Sequence, residues 1–270
     1  LVKIALACAI VAAPTRADDP PAATRTPPPG HDLTFRPTVI VRRGKHQGSG
    51  TVIASIPGES LVLTASHVLE GDGALYIEVH RYNLGLERRQ RAEGWPREIP
   101  ARVVARDKAA DLAVIRVEGF EAMPYVAKIA PGPGEPPRGE AVVSIGIDLG
   151  ETLASWGSRV FDYARIDMGN GGGPRPFLLV EKPPEHGRSG GGLFTTDGTV
   201  VGVCVGRAEV VRGRRFGVFA SSESIRRILL ENGLDAAVAR SVARRMSRPA
   251  PSPAAPTPRP PPSAGQATSG

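Results

Sequence analysis

The stretch GRSGGGLFTTDGTVVGVCVG, residues 187–206, places a single serine in a glycine-rich loop and follows it with a β-branched run. Glycines around Ser189 allow backbone dihedrals that other residues avoid, and they let the chain approach a ligand closely. The run Thr199–Val203 has the composition of a strand and follows a turn residue, Gly198. This stretch therefore predicts a loop that presents Ser189 ahead of a strand.

Nine further short runs, rich in valine, isoleucine and leucine, are separated by glycine, proline and aspartate. They are Thr38–Val41, Gly50–Ile53, Leu61–Thr64, Leu75–Val79, Ala101–Val104, Leu112–Ile115, Ala141–Ile145, Phe177–Val180 and Phe216–Phe219. Many short strands with few segments of helical period favour an all-β barrel or sandwich. One helix is predicted over about 222–232, where Ser221 or Ser222 can cap it and Gly233 can end it. A second helix is possible over 233–246.

Both ends of the chain differ from this central part. Lys3 precedes about ten apolar residues, which is typical of a signal peptide over 1–17 that is cleaved after Ala17, although a buried helix is the alternative. We therefore expect a secreted or periplasmic protein. Residues 18–37 predict a proline-rich linker and residues 247–270 a disordered proline-rich tail, which is either a spacer or a ligand for an unknown partner.

Composition excludes several classes of function. The net charge is +7, but residues 38–232 carry 25 basic and 23 acidic side chains, a net +2, so we expect no nucleic-acid partner. Two cysteines and the absence of metal-ligand spacings predict no metal and no cofactor. No apolar stretch reaches 18 residues, so we expect no stable membrane span.

Three local patterns carry side chains that could act together. A strand ends at His67, Asp111 opens the run Leu112–Ile115, and Ser189 lies in the glycine-rich loop. A serine hydroxyl becomes a nucleophile when a neutral imidazole takes its proton, and the imidazole needs a carboxylate on its other nitrogen. The tetrahedral oxyanion needs backbone N–H donors, for which Gly187 and Ser189 are the natural candidates.

These three blocks resemble the serine peptidases of the chymotrypsin fold. Within them, Gly48–Ile53 before the histidine strand, the Ala-Asp-Leu-Ala-Val pattern at 110–114 and the Gly-x-Ser-Gly-Gly pattern at 187–191 are most similar to the bacterial Deg/HtrA-type branch. The resemblance implies a protease domain over 38–232. It would contain two antiparallel six-stranded barrels, about 38–128 and about 138–220, a C-terminal helix, and an active site in the cleft between the barrels. It also implies His67 as general base, Asp111 as its partner and Ser189 as nucleophile.

The sequence departs from the family at three points. Gly192 stands where relatives commonly carry proline or a larger residue. Arg188 replaces the aspartate with which digestive-type relatives bind a newly cut N-terminus, so we expect no activation of that kind. The 38 residues after Asn232 leave no room for the PDZ domain usual in Deg/HtrA enzymes, so none is expected.

The resemblance also locates the substrate. Pro183 occupies the position at which trypsin-like relatives carry an acid that binds lysine or arginine. Val203, Cys204, Val205 and Gly206, with Phe216–Phe219, are expected to form a mostly apolar wall that accepts small or aliphatic side chains. Cys204 is expected either to fill the core or to pack against Asp111, and strand alternation would place Val201, Val203 and Val205 on the opposite face.

The sequence therefore predicts a serine endopeptidase that acts through an acyl-enzyme on proteins or peptides. The alternative is a catalytically silent binding protein that keeps the protease fold. An esterase or a self-cleaving protease would use the same residues.

Overall fold

The computed structural model describes residues 3–5, 31–86, 94–130, 132, 134–148, 152–210 and 214–246. The expected signal peptide, except 3–5, the linker up to residue 30 and the tail 247–270 lie outside the described residues. The strands, in chain order, are β1 Lys3–Ala5, β2 Thr38–Arg43, β3 His46–Ile56, β4 Glu59–Ala65, β5 Leu75–Val79, β6 Arg97–Asp107, β7 Leu112–Glu118, β8 Lys128–Ile129, β9 Ala141–Asp148, β10 Thr152–Ile166, β11 Arg175–Val180, β12 Gly192–Thr195, β13 Thr199–Val210 and β14 Arg214–Ser221.

Twelve of these strands form two closed antiparallel barrels. The first barrel has the order β2-β3-β4-β7-β6-β5 and closes through the pairing of β5 with β2. The second has the order β13-β12-β9-β10-β11-β14 and closes through the pairing of β14 with β13. The backbone of β1 pairs with β13 at Arg207–Glu209, and β8 adds in parallel at its other end. The all-β prediction of two six-stranded barrels is confirmed.

Two helices follow the barrels, α1 Ser222–Glu231 and α2 Asp235–Met246. The hydroxyl of Ser222 donates to Glu135 at 3.2 Å, which ties the start of α1 to the segment between the barrels. The buried face of α1 joins a core cluster that also contains residues of both barrels, including Leu63 and Phe177. The helices therefore close the side of the molecule where the two barrels meet, and the C-terminal helix of the predicted fold is confirmed.

Strand β13 does not alternate as the sequence predicts. Val203 and Val205 pack in the cluster between the barrels and helices, but Val201 shares the interior of the second barrel with Cys204. The pairing of β13 shifts register twice, once against β12 near Val201 and once against β14 at Val205. The prediction for Val201 was wrong because each bulge adds one residue and reverses the alternation beyond it. No helix among the described residues has the length and apolar character needed to cross a membrane.

Candidate active site

His67 and Asp111 form a buried pair at the edge of the first barrel. His67 begins a short 3₁₀ turn after β4, and Asp111 immediately precedes β7, the strand that pairs with β4. The Nδ1 atom of His67 lies 2.5 Å from Asp111 Oδ2, and the backbone N–H of His67 donates to Asp111 Oδ1 at 2.9 Å. His67 Nε2 is buried and has no hydrogen-bond partner in the described chain. Nε2 is therefore the ring atom available for proton transfer.

The turn before Asp111 is held by an ion cluster. Asp111 has a φ of +50°, a value that is strained for residues other than glycine. Aspartate and asparagine tolerate this value better than most other residues. The carboxylate of Asp107 accepts the N–H groups of Ala109 and Ala110, and its other oxygen binds Arg227 of α1 at 2.8 Å. Burial alone would raise the pKa of Asp107, but the Ala110 N–H and the Arg227 guanidinium outweigh it and lower that pKa. Helix α1 thus supports the turn that presents Asp111.

Ser189 lies in the segment 185–191, here called the Ser189 loop, which enters the second barrel at β12. A Cβ atom on Gly48 would lie 2.6 Å from the Val68 side chain and 2.8 Å from the Ser189 carbonyl oxygen. Glycine at position 48 therefore lets the turn after His67 and the Ser189 loop approach β3 together. Gly190 has φ +84°, and a Cβ there would lie 2.1 Å from the Ser49 carbonyl oxygen. A side chain at either position would separate these parts of the site.

Ser49 connects the two barrels beneath the Ser189 loop. Its backbone N–H donates to the Ser189 carbonyl at 2.7 Å, and its hydroxyl donates to the Gly187 carbonyl at 3.1 Å. The N–H of Ile147 in β9 donates to the same hydroxyl at 2.8 Å. Ser49 lies in the Gly-Ser-Gly motif that contributed to the family resemblance, but its position in the sequence does not reveal these contacts. The residues that Ser49 contacts lie about 100 residues or more away in the sequence, so the motif alone does not identify them.

Arg188 is the largest fully buried side chain in the described structure, with an exposed fraction of 0%. Its Nε and Nη2 atoms donate to the two carboxylate oxygens of Asp148 at 2.8 and 2.5 Å. Its Nη1 atom donates to the carbonyls of Ser144 and Ala154 at 3.1 and 3.3 Å. The guanidinium carbon lies 5.0 Å from the centre of the Trp156 ring. In the sequence, Arg188 is recognisable only as a departure from the family pattern, and nothing marks Asp148 as its partner.

The backbone of the Ser189 loop is fixed at both sides of the serine. The Arg188 carbonyl accepts the N–H of Gly191 at 2.9 Å, and Gly187 adopts φ +88°. Because a trans peptide is planar, the N–H of Ser189 points away from the bonded Arg188 carbonyl. Within the described ranges, the N–H groups of Gly187 and Ser189 have no hydrogen-bond acceptor. Both donors are thus available to an outside oxygen.

A pocket beside Ser189 is lined by Pro184, Glu185, His186, Gly206 and Arg207. Of the residues expected in an apolar wall, only Gly206 takes part. The side chains of Val203, Cys204 and Val205 are fully buried in the cores. They can offer a substrate only their main chain, because both faces of β13 are covered here. Val203 and Val205 face the cluster between the barrels, and Cys204 faces the interior of the second barrel. Pro183 is half-buried beside the pocket but does not line it.

Cys204 packs inside the second barrel, in a cluster that includes Leu193 and Phe219. Burial raises the pKa of its thiol to about 12, although the charge of Arg188 opposes this and that of Asp111 adds to it. A backbone hydrogen bond with Gly206 also lowers the pKa, whereas the bonds of the Asp111 carboxylate go to His67. The expectation that Cys204 fills the core is therefore met, and its thiol makes no hydrogen bond with the Asp111 carboxylate in the described structure.

We expect native Cys204 to resist alkylation, because the thiolate is the reactive form and burial disfavours it. Iodoacetamide at pH 8 should leave the folded protein unlabelled at position 204 and should label it fully in denaturant, as measured by peptide mass spectrometry. Rapid labelling of Cys204 in the folded protein would contradict the buried placement.

No group of three or more histidine, cysteine, aspartate or glutamate side chains that could hold a metal ion occurs in the described ranges.

Known proteins resemble the chain over the region that carries this site. The family described as the trypsin-like peptidase domain matches residues 48–203. The serine protease Do-like HtrA of Bacillus subtilis is 28% identical over 163 residues, which are 58% of this chain and 32% of that protein. The serine protease Do-like HtrA of Lactobacillus helveticus is 26% identical over 162 residues, 58% of this chain and 35% of that protein. The chain spans less than half the length of these relatives.

Solved structures show the same fold. The Rv3671c protease from M. tuberculosis in its active form has a TM-score of 0.60 and 22% sequence identity, and the match covers 83% of this chain and 95% of that one. A serine endoprotease from Yersinia pestis has a TM-score of 0.57 and 19% identity, with 77% and 66% of the two chains covered. At these identities the likeness supports the two-barrel architecture.

Proposed function

The chain belongs to the family of trypsin-like peptidase domains, and from that premise we propose that it is a serine endopeptidase that uses His67, Asp111 and Ser189. The observation that carries the proposal is the buried His67–Asp111 pair, which leaves only Nε2 of the imidazole without a partner. A carboxylate on Nδ1 fixes the tautomer in which Nε2 can accept a proton. This arrangement supports His67 as the general base for the Ser189 hydroxyl, to which Nε2 makes no hydrogen bond in the described structure.

The proposed reaction proceeds in two steps. Ser189 Oγ attacks the carbonyl carbon of the scissile peptide, and its proton moves to His67 Nε2. The C–N bond then breaks, the imidazolium returns the proton to the leaving amine, and an acyl-enzyme ester remains. Water attacks this ester with the same histidine as base, which releases the carboxylic acid product and free Ser189. Asp111 stabilises the imidazolium in both steps.

We propose the N–H groups of Gly187 and Ser189 as the oxyanion hole. Both lack an acceptor in the described structure, and the Ser189 N–H is directed by the bond between the Arg188 carbonyl and Gly191. Donors held in place before the reaction stabilise the negative charge of the tetrahedral intermediate without reorganisation. The protein or peptide substrate would enter along the main chain near Gly206.

A fluorophosphonate probe tests the proposed function. It reacts with an activated serine, so we expect stoichiometric labelling of Ser189 in the wild-type protein and loss of labelling in His67→Ala. Labelling of a different residue, or none in a folded protein, would instead favour the alternative of a silent binding protein that keeps the fold. Hydrolysis of a peptide that the probe abolishes would indicate a peptidase, whereas probe-sensitive hydrolysis of a matched ester alone would indicate an esterase.

We further propose cleavage after small or medium-sized aliphatic residues. Pro183 carries no charge, and the pocket beside Ser189 contains Pro184 and Gly206. Glu185 also lines this pocket, but it is exposed and Arg207 places a positive charge on the same wall. Exposed charges are well solvated and give little net attraction. A lysine or arginine side chain of the substrate therefore gains little binding free energy in this pocket.

A peptide library read by mass spectrometry should show cleavage mainly after alanine, valine or leucine. Glu185→Gln should leave this preference unchanged, because the carboxylate is not the recognition element. Dominant cleavage after lysine or arginine that disappears in Glu185→Gln would refute the proposal and assign specificity to Glu185.

We propose a secreted or periplasmic location, supported by Lys3 and the apolar residues 4–13. Fractionation of cells expressing the chain with a C-terminal tag checks it. The proline-rich segment 247–270 remains a candidate contact for a partner.

A further inference from the structure

We infer that Arg188 and Asp148 are positioning residues that hold the Ser189 loop, residues 185–191, in its catalytic shape through an ion pair built into this chain. The inference rests on the proposed function and deepens it, because it concerns how the oxyanion donors are kept in place. In relatives with aspartate before the nucleophile, a newly cut N-terminus supplies the counter-charge. Here the charges are reversed, since the loop carries the cation and the end of β9 carries the anion.

Burial makes this ion pair a strong constraint. The Arg188 side chain is wholly buried, and a charge in the protein interior is unfavourable unless it is paired and hydrogen-bonded. The planar guanidinium meets both oxygens of Asp148 and two backbone carbonyls, so four acceptors fix its orientation. Any rearrangement that moved Arg188 out would leave Asp148 and these carbonyls without their donors. The side chain therefore has one well-satisfied position.

The constraint on the side chain is transmitted to the reacting atoms through the backbone. The peptide between Arg188 and Ser189 carries the Ser189 N–H, and its carbonyl is held by Gly191 at 2.9 Å. The buried side chain holds the Arg188 Cα atom in place. The peptide between Arg188 and Ser189 therefore cannot rotate relative to the rest of the loop. Gly146 of β9 accommodates the arginine stem, since a Cβ there would lie 2.9 Å from Arg188 Cγ. The strand that supplies Asp148 is thus also shaped to receive Arg188.

Ser49 holds the other side of the same loop. Its hydroxyl binds the Gly187 carbonyl and receives the Ile147 N–H, one residue before Asp148. The end of β9 is therefore linked to both residues that supply the oxyanion donors. Ile147 is linked to Gly187 by the Ser49 hydroxyl, and Asp148 is linked to Ser189 by the Arg188 side chain. Weakening the ion pair should disturb the Ser189 N–H while the His67–Asp111 pair is left intact.

Asp148→Asn is the first test, because it keeps the shape of the side chain and removes the charge. We expect kcat for a peptide substrate to fall about 10- to 100-fold with KM unchanged, since oxyanion donors act mainly in the transition state. The affinity for a peptide aldehyde should fall by the same factor as kcat/KM. Active sites are counted with the fluorophosphonate probe, so that loss of folded protein is not mistaken for loss of rate. The matched control is Asp162→Asn, which removes the carboxylate of an exposed pair with Arg138 in the same barrel and should change neither constant.

Two further variants keep the inference falsifiable if Asp148→Asn is poorly folded. Arg188→Lys retains the charge without the planar fork and should recover only part of the rate. Arg188→Met combined with Asp148→Leu removes both charges, a replacement that often leaves stability unchanged, and it should still lose kcat. The inference would be overturned if the double variant or Asp148→Asn had the kcat of the wild type, calculated per titrated active site.

Hydrogen exchange separates this inference from the proposed function. If the wild-type protein shows no probe labelling and no hydrolysis, the proposed function fails. The ion pair can still be tested, because Asp148→Asn should speed amide exchange in residues 185–191 and leave residues 63–69 unchanged. Equal exchange of residues 185–191 in the wild type and Asp148→Asn would contradict the positioning role whether or not the protein is an enzyme.

Discussion

Ser189→Ala should lower kcat/KM for a peptide substrate by about 10⁴- to 10⁶-fold, because it removes the atom that forms the acyl-enzyme. His67→Ala should cause a loss of similar size, since the hydroxyl is a poor nucleophile without its base. The double variant should be no worse than either single one, because the two groups act as a unit. Folding should persist, and circular dichroism with thermal melting checks this.

His186→Ala is the matched control for the histidine. His186 lines the pocket beside Ser189, but the Asp111 carboxylate binds His67 and not His186. We therefore expect His186→Ala to affect KM rather than kcat. Wild-type rates in Ser189→Ala, or a large loss of kcat confined to His186→Ala, would contradict the assignment of nucleophile and base.

Asp111→Asn should lower kcat by about 10⁴-fold while the structure is maintained. Asparagine tolerates the φ of +50° at this position, and its side-chain carbonyl oxygen can still accept the backbone N–H of His67. Its amide would, however, donate to His67 Nδ1 and place the imidazole proton on Nε2, the atom that has to receive the proton of Ser189. The loss should appear in kcat with substrate affinity retained.

The control for this variant is Glu118→Gln, which removes a carboxylate from an exposed pair with Arg102 in the same barrel. Its kcat should match the wild type within about twofold, because an exposed ion pair contributes little free energy. A similar loss in both variants would show that charge in the first barrel, rather than the tautomer of His67, limits the rate.

Local patterns in the sequence predicted ten of the fourteen strands and both helices, but they missed β1, β8, β10 and β12. Runs such as Leu61–Thr64 and Leu112–Ile115 carry side chains that suit a pleated, buried backbone, and they lie within β4 and β7. The triad candidates were identifiable for a similar reason. His67, Asp111 and Ser189 each follow or precede such a strand, and the chemistry requires all three residue types together. Closure into two barrels came from the family resemblance, and the structure confirms it.

Contacts between distant segments were not predictable in this way. Bulges near Val201 and at Val205 depend on how β13 pairs with two neighbours, so simple alternation misplaced Val201. Val203 and Cys204 do not line the pocket because both faces of β13 are covered, and the pocket is lined instead by residues such as Glu185 and Arg207. Nothing in the local sequence of β13 shows which of its residues will be the extra one.

The sequence by itself determined where most of the strands lie and the order of the triad candidates. It also determined which glycines allow the Ser189 loop its unusual backbone dihedrals. These features follow from local backbone preferences and from the chemistry of each side chain. Only the tertiary structure decided that Arg188 is buried against Asp148, 40 residues earlier, and that Ser49 binds Gly187, 138 residues later. An arginine in a loop is usually solvated, and burial becomes favourable only where a carboxylate and carbonyls converge on it. That convergence depends on the register of β9 and β10 and on the approach of β3, which the chain specifies only when both barrels have closed.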